Sequence, residues 1–155
     1  MKILKDETVY DGTYIATVKR HFITPAGKEG VWEMMKRKRV LGRIVAIVAV
    51  TEQQEIILEK TYRIPLQSYV LELPAGLMDK PGESEKDAIK RELTEETGYA
   101  VEDVELLFAG PYNTGLTADE FAVYLGRNAR LVKEQELEDE EIIEVVKVPV
   151  KNLYK

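Results

Sequence analysis

The residues of this chain best suited to chemistry are carboxylates. The stretch from Glu83 to Glu96 carries Glu83, Glu85, Asp87, Glu92, Glu95 and Glu96, with a single arginine, Arg91, among them. On an α-helix Glu92 and Glu96 stand at i and i+4 and share a face, with Glu95 beside them. Like charges so placed oppose helix formation by about 0.2–0.5 kcal/mol per pair. Something must offset that repulsion, and hard divalent cations suit an all-oxygen site. Carboxylates that hold such a cation beside a phosphate can neutralise developing charge and favour deprotonation of a water. The alternative for the same residues is a solvated acidic helix. His21 is the only histidine, lies on an alternating stretch without a neighbouring partner, and reads as an ordinary strand residue. There is no cysteine, which excludes thiolate metal sites and disulfides and fits a reducing compartment, the cytoplasm.

The elements that must position these acids read as follows. Ser84 is a helix N-cap with Asp87 three residues on, Glu85 and Asp87 suit the first turn, and Gly98 is the C′ residue. Ala88, Ile89 and Leu93 form the buried stripe of that helix, and Arg91 can pair with Glu95 at i,i+4. Residues 2–41 read as a β-rich lobe. Tyr14, Ala16, Val18 and Phe22 alternate with polar residues, Thr24 to Gly30 is a turn, and Val31 to Val40 returns as a strand. Ile44 to Val50 is a continuous apolar run, as for a strand covered on both faces. Strands follow at Glu55 to Tyr62, Tyr69 to Leu73, Val104 to Phe108, Phe121 to Leu125 and Ile142 to Val148. An acidic run, Glu134 to Glu141, precedes the last of them.

The 155 residues are 45% hydrophobic and 32% charged, with a net charge of −6. These values describe one soluble globular domain of mixed α and β structure and give no electrostatic support to nonspecific nucleic-acid binding. The run Lys36-Arg37-Lys38-Arg39 is a nucleic-acid patch, an anion site or a solvated strand end. No signal-peptide core or membrane-spanning run is present, so neither a membrane nor a nucleic acid is expected as partner.

With these residues in hand, the chain resembles the Nudix hydrolases, whose box reads G-x5-E-x7-R-E-U-x-E-E-x-G-U, with U a bulky apolar residue. From Glu83 through Arg91, Glu92, Leu93, Glu95, Glu96 and Gly98 to Tyr99 the match is complete; the one departure is six residues instead of five between Gly76 and Glu83. The resemblance implies an α+β fold, an α/β/α sandwich with a mixed sheet and an N-terminal antiparallel β lobe. We divide the chain accordingly into a lobe, residues 1–41, and a catalytic unit, residues 42–155. The second flanking helix of such a sandwich reaches only its first turn, at Val150 to Lys155. Either it is trimmed or vestigial, or a partner subunit covers that face.

The resemblance further implies hydrolysis of a nucleoside diphosphate linked to another group, with Mg²⁺ or Mn²⁺ as cofactor. Glu92 and Glu96 would be metal ligands, Glu95 a ligand or a catalytic neighbour, and the carbonyl of Ala75 a further ligand. Arg91 and Glu83 would brace the box, and Glu72 is either a metal neighbour or a strand-edge acid. Tyr62-Arg63 followed by Glu72-Leu73-Pro74-Ala75-Gly76 is similar to the ADP-ribose (ADP-sugar) pyrophosphatase branch. In that branch the β lobe is exchanged in a homodimer. Trp32 would stack on adenine and Arg37 and Arg63 would meet phosphates, although Trp32 and Arg37, an odd number apart, face opposite sides of a regular strand. Trp32 could equally be a core or interface aromatic, and Arg63 a surface strand end. Glu141, or its neighbour Glu140, would be the catalytic base, and Glu120 with Asp119 would meet substrate or metal. Pro111 and Thr114 depart from the proline pattern of this branch. The expected activity is cleavage of ADP-ribose or a related ADP-sugar. Other nucleotide sugars, dinucleoside polyphosphates and a nucleotide-sensing module without turnover are the alternatives.

Overall fold

In the computed structural model, which describes residues 1–138 and 141–153, the chain forms two sheets and one α-helix. In order these are β1 (Lys2–Asp11), β2 (Ile15–Ile23), β3 (Glu29–Arg37), β4 (Ile44–Thr51), β5 (Glu55–Arg63), β6 (Ser68–Glu72), β7 (Ala75–Leu77), α1 (Glu85–Thr97), β8 (Tyr99–Ala100), β9 (Val104–Pro111), β10 (Glu120–Leu131) and β11 (Ile143–Pro149).

Strands β1, β2 and β3 make an antiparallel meander. Sequence alone does not show β1, because its apolar residues do not alternate cleanly, and every one of its residues is exposed. Cross-strand charge holds it: Asp6 accepts both guanidinium hydrogen bonds of Arg20, at 2.8 and 2.9 Å, and one from Lys36 at 2.7 Å. His21, expected to have no partner, faces Glu7 at 3.3 Å across the same strand pair. The third strand ends at Arg37, short of the expected Val40, where Arg39 takes a left-handed φ of 64° that a continuing strand does not permit. The basic run is neutralised locally: Lys36 by Asp6, Arg37 by Asp119 and Lys38 by Asp11.

The second sheet runs β11-β5-β4-β10-β8, with β6 beside β5, β7 beside β4 and β9 beside β10. The β4–β10 pair is parallel and the remaining pairs are antiparallel, so the sheet is mixed as expected. Strand β4 is central. Val45, Ile47 and Ala49 on one face and Ala46 on the other are all but fully buried, which is why its sequence is an unbroken apolar run.

Helix α1 has the expected caps. Ser84 Oγ accepts the Asp87 N–H at 3.2 Å, and Gly98 closes the helix at φ 76° with its N–H on the Thr94 carbonyl. Ala88, Ile89 and Leu93 are fully buried and pack on Val45, Ile47, Ile57 and Tyr124 of the sheet. Burying a side chain of the size of Ile89 or Leu93 contributes about 1.5–3 kcal/mol. Polar contacts fix the other end of the helix: Glu85 accepts from Tyr124 Oη at 2.6 Å and from Arg43 at 2.8 Å. The α+β class is therefore as expected. Among the described residues α1 is the only α-helix, and the C-terminal turn is a short 3-10 segment, Val150–Asn152. No helix among them is long and apolar enough to cross a membrane.

Candidate active site

Three neighbouring strands and the helix converge on one cleft. Strand β7 lies against β4 with Ala75 opposite Ala46, and Ala75 and Gly76 meet the Glu92–Glu96 face of α1. A Cβ built on Gly76 would overlap the Glu92 carboxyl group, so glycine is the residue that lets strand and helix approach this closely. Strand β5, next to β4, directs Glu59 into the same space in phase with buried Ile57 and Thr61. The result is a cleft of about 630 Å³ lined by Glu59, Arg63, Ala75, Glu92, Glu96 and Glu141, among others. A second concavity of about 490 Å³, between the β8–β9 turn and β10, shares no residue with it, and its acids are exposed, Asp103 pairing with Lys86 and Glu102 with Arg130.

Arg91 is the positive centre that the like-charged helix needs. Its guanidinium holds Glu83 through two hydrogen bonds at 2.9 and 3.1 Å and reaches Glu95 at 2.8 Å and Glu92 at 2.9 Å. Glu83 is thereby held below the usual carboxylate range. Arg91 and Glu83 brace the helix to the loop that precedes it, and the extra residue of that loop leaves the helix register intact.

Glu96 and Glu59 are the buried acids of the cleft, 8% and 3% exposed. One Glu96 oxygen accepts the Ala75 N–H at 3.1 Å. Glu59 Oε1 has no hydrogen-bond partner among the described residues. Ionised carboxylates cannot donate to each other, so a shared proton or a cation must bridge the two. Burial, together with their mutual repulsion, pushes Glu96 well up, and burial pushes Glu59 up as well. Burial also raises Glu92, against the opposing pull of Arg91. A divalent cation would relieve all three. Among the described residues no three acidic or histidine side chains are grouped tightly enough to hold a metal ion unaided. The orphaned buried oxygen of Glu59 is the observation that the donor set fits a cation, whose remaining ligands would be waters and substrate phosphates.

The acidic run after β10 is docked on the helix. The Glu136 N–H donates to the Glu95 carbonyl at 2.8 Å, and Gln135 Nε2 donates to the Glu96 carbonyl at 2.6 Å. These bonds satisfy carbonyls that the helix C-terminus leaves open and bring Glu141 to the cleft wall beside Glu138. Glu141 Oε2 accepts the Glu138 N–H at 3.0 Å.

Of the residues singled out from sequence, Ala75, Glu92, Glu96, Arg63 and Glu141 line this cleft, and Glu95 lines the adjoining concavity with Arg91. Glu140 lies outside the described residues. Arg63 is paired with Glu72, at 2.8 Å from Nε, and Glu72 stands opposite Glu59 in the β5–β6 ladder. Trp32, Arg37 and Glu120 do not line the cleft of their own chain. The β2–β3 register is unbroken from Glu29 to Arg37, so no bulge brings Trp32 and Arg37 to one face. Trp32 Nε1 donates to the Gly115 carbonyl at 2.9 Å, and Arg37 holds Asp119 at 3.0 Å. Glu120 is bound to Arg43 at 2.6 Å, near the other end of the helix. Glu59 was missed. Its only signal in the sequence is a glutamate at a position in phase with the buried side chains of a strand.

Residues 40–155 match the NUDIX domain family, and the chain belongs to that family, whose hydrolases generally use a divalent metal. Among particular relatives, the chain is 31% identical over 155 residues to an ADP-ribose pyrophosphatase of Bacillus subtilis (strain 168), an alignment that covers 99% of this chain and 81% of that one. It is 34% identical over 122 residues to an ADP-sugar pyrophosphatase of Mus musculus, covering 74% of this chain and 56% of that one. The crystal structure of an ADP compounds hydrolase superposes with a TM-score of 0.85 at 25% identity, covering 98% of this chain and 80% of the other.

Proposed function

We propose that this Nudix hydrolase splits the pyrophosphate of ADP-ribose, or of a related ADP-sugar, into AMP and a sugar phosphate. The observation that carries the reading is the cleft itself. It joins Glu92 and Glu96 of the box helix to Arg63 on one wall and Glu141 on another, in a chain whose relatives named above act on ADP-ribose, ADP-sugars and ADP compounds.

In this reading Glu92, Glu96 and the Ala75 carbonyl hold Mg²⁺ or Mn²⁺, with Glu95 as a ligand or an outer partner. When bound, the cation neutralises the phosphoryl oxygens and makes a water more acidic. Arg63 draws the diphosphate into the cleft, a task suited to a planar guanidinium. Glu141 accepts the proton of the attacking water as its oxygen bonds to phosphorus and the P–O–P bridge breaks. Arg91 keeps the box acids in place without touching substrate. The test is AMP release from ADP-ribose with Mg²⁺, beside ADP-glucose, GDP-mannose, Ap₄A and deoxynucleoside triphosphates. Fast, metal-dependent release from ADP-ribose is expected. Preference for another compound would move the substrate assignment, and binding without cleavage of any of them would make the chain a nucleotide sensor.

The same reading includes a homodimer through the N-terminal lobe. It is supported by the exposed apolar side chains Ile3, Val9, Tyr10 and Tyr14 along β1 and the turn after it, which this chain leaves uncovered. In such a dimer Trp32 and Arg37 would serve the neighbouring copy's cleft. Sedimentation equilibrium at micromolar concentration should give twice the chain mass, and a monomer there would remove both residues from the substrate site.

A further inference from the structure

We propose that Glu59 is a cation ligand supplied from the sheet side of the cleft, opposite the box helix. The inference rests on the reading of Glu92 and Glu96 as metal ligands and adds a residue that the box does not contain. Four observations carry it. Glu59 is 3% exposed, where a strand position in phase with Ile57 would ordinarily hold an apolar side chain. Its Oε1 is buried without a hydrogen-bond partner among the described residues, a costly state for an acid that nothing compensates. It lines the same cleft as Glu92, Glu96 and Glu141. No side-chain cation hydrogen-bonds it among the described residues: Lys60, next in sequence, pairs with Glu144, and the Arg63 guanidinium binds Glu72 and reaches Glu59 only through its charge.

Two strand residues thus converge on the helix pair from one side, Ala75 through its backbone and Glu59 through its carboxylate. A site closed by a sheet ligand and helix ligands is more rigid than one on the helix alone. It also gives the orphaned oxygen a partner that needs no rearrangement of the strand.

The test compares Mn²⁺ binding to the full chain, by electron paramagnetic resonance of the free ion, for wild type, Glu59→Gln, Glu59→Val and Glu96→Gln, with thermal melts of each in chelator. Glu59→Gln is expected to weaken Mn²⁺ about tenfold or more, the range seen when groups around a metal site are removed. Glu59→Val should do the same while its melting point without metal is unchanged or raised, since it removes a buried, unpartnered acid. Mn²⁺ affinity within twofold of wild type in Glu59→Gln, with Glu96→Gln clearly weakened, would overturn the role of Glu59 and leave the box site standing. Absence of Mn²⁺ binding by the wild type would overturn both.

Discussion

Glu96→Gln should lower kcat/KM by about a thousandfold or more while the chain stays folded. A ligand that neutralises charge at a phosphoryl centre is worth several kcal/mol, and each 1.36 kcal/mol is tenfold in rate. The substitution keeps the side-chain volume where Glu96 is 8% exposed, so no cavity opens. Its amide oxygen can still accept the Ala75 N–H, and its NH₂ can donate to the buried Glu59 oxygen that has no donor in the native arrangement. The metal-free variant should therefore melt at or above the wild-type temperature, and added Mg²⁺ should raise its melting point less than it raises the native one. Steady-state kinetics and a paired melt with and without Mg²⁺ decide the matter. Near-native turnover would sink the ligand role of Glu96. Loss of the folded transition would show instead that its ionised form is needed for stability.

Glu141→Gln should lower kcat by about a hundredfold or more, within the usual range for a general base, with substrate affinity changed by no more than about twofold. The amide can still accept the Glu138 N–H, and the Gln135 bond that docks the acidic run on the helix is untouched. Single-turnover rates with an independent binding measurement separate the possibilities. A drop in affinity with kcat unchanged would make Glu141 a substrate contact. Native kinetics in both respects would pass the base to another acid of this loop, with Glu140→Gln the variant to measure next.

The parts of the site that were legible in sequence are those set by local geometry. Ser84, Asp87 and Gly98 mark the ends of α1 because capping requires particular side chains and one left-handed residue at fixed offsets. Glu92 and Glu96 share a face because the helix repeats every 3.6 residues. The unbroken apolar run of β4 shows its central place for a similar reason, since burial on both faces leaves no position for a polar residue. The N-terminal strand was harder to read. Its ladder to β2 is held by ion pairs such as Asp6–Arg20, fourteen residues apart in sequence, and has no buried face to impose alternation.

Tertiary structure alone decided which distant groups meet. Glu59 and Glu96 lie on different elements, and only the packing of β5 against the helix turns an ordinary strand glutamate into a buried acid facing another. The seating of β7 on the helix couples Gly76 to Glu92, and the docking of the acidic run carries Glu141 to the cleft. Tertiary structure also decides which partners Trp32, Arg37 and Glu120 take within their own chain, namely the Gly115 carbonyl, Asp119 and Arg43. Helical spacing and capping act within a few residues, so the order of amino acids is enough to specify them. The energy of a charge depends on burial and on neighbours from remote segments, and those exist only once the sheet has closed over the helix.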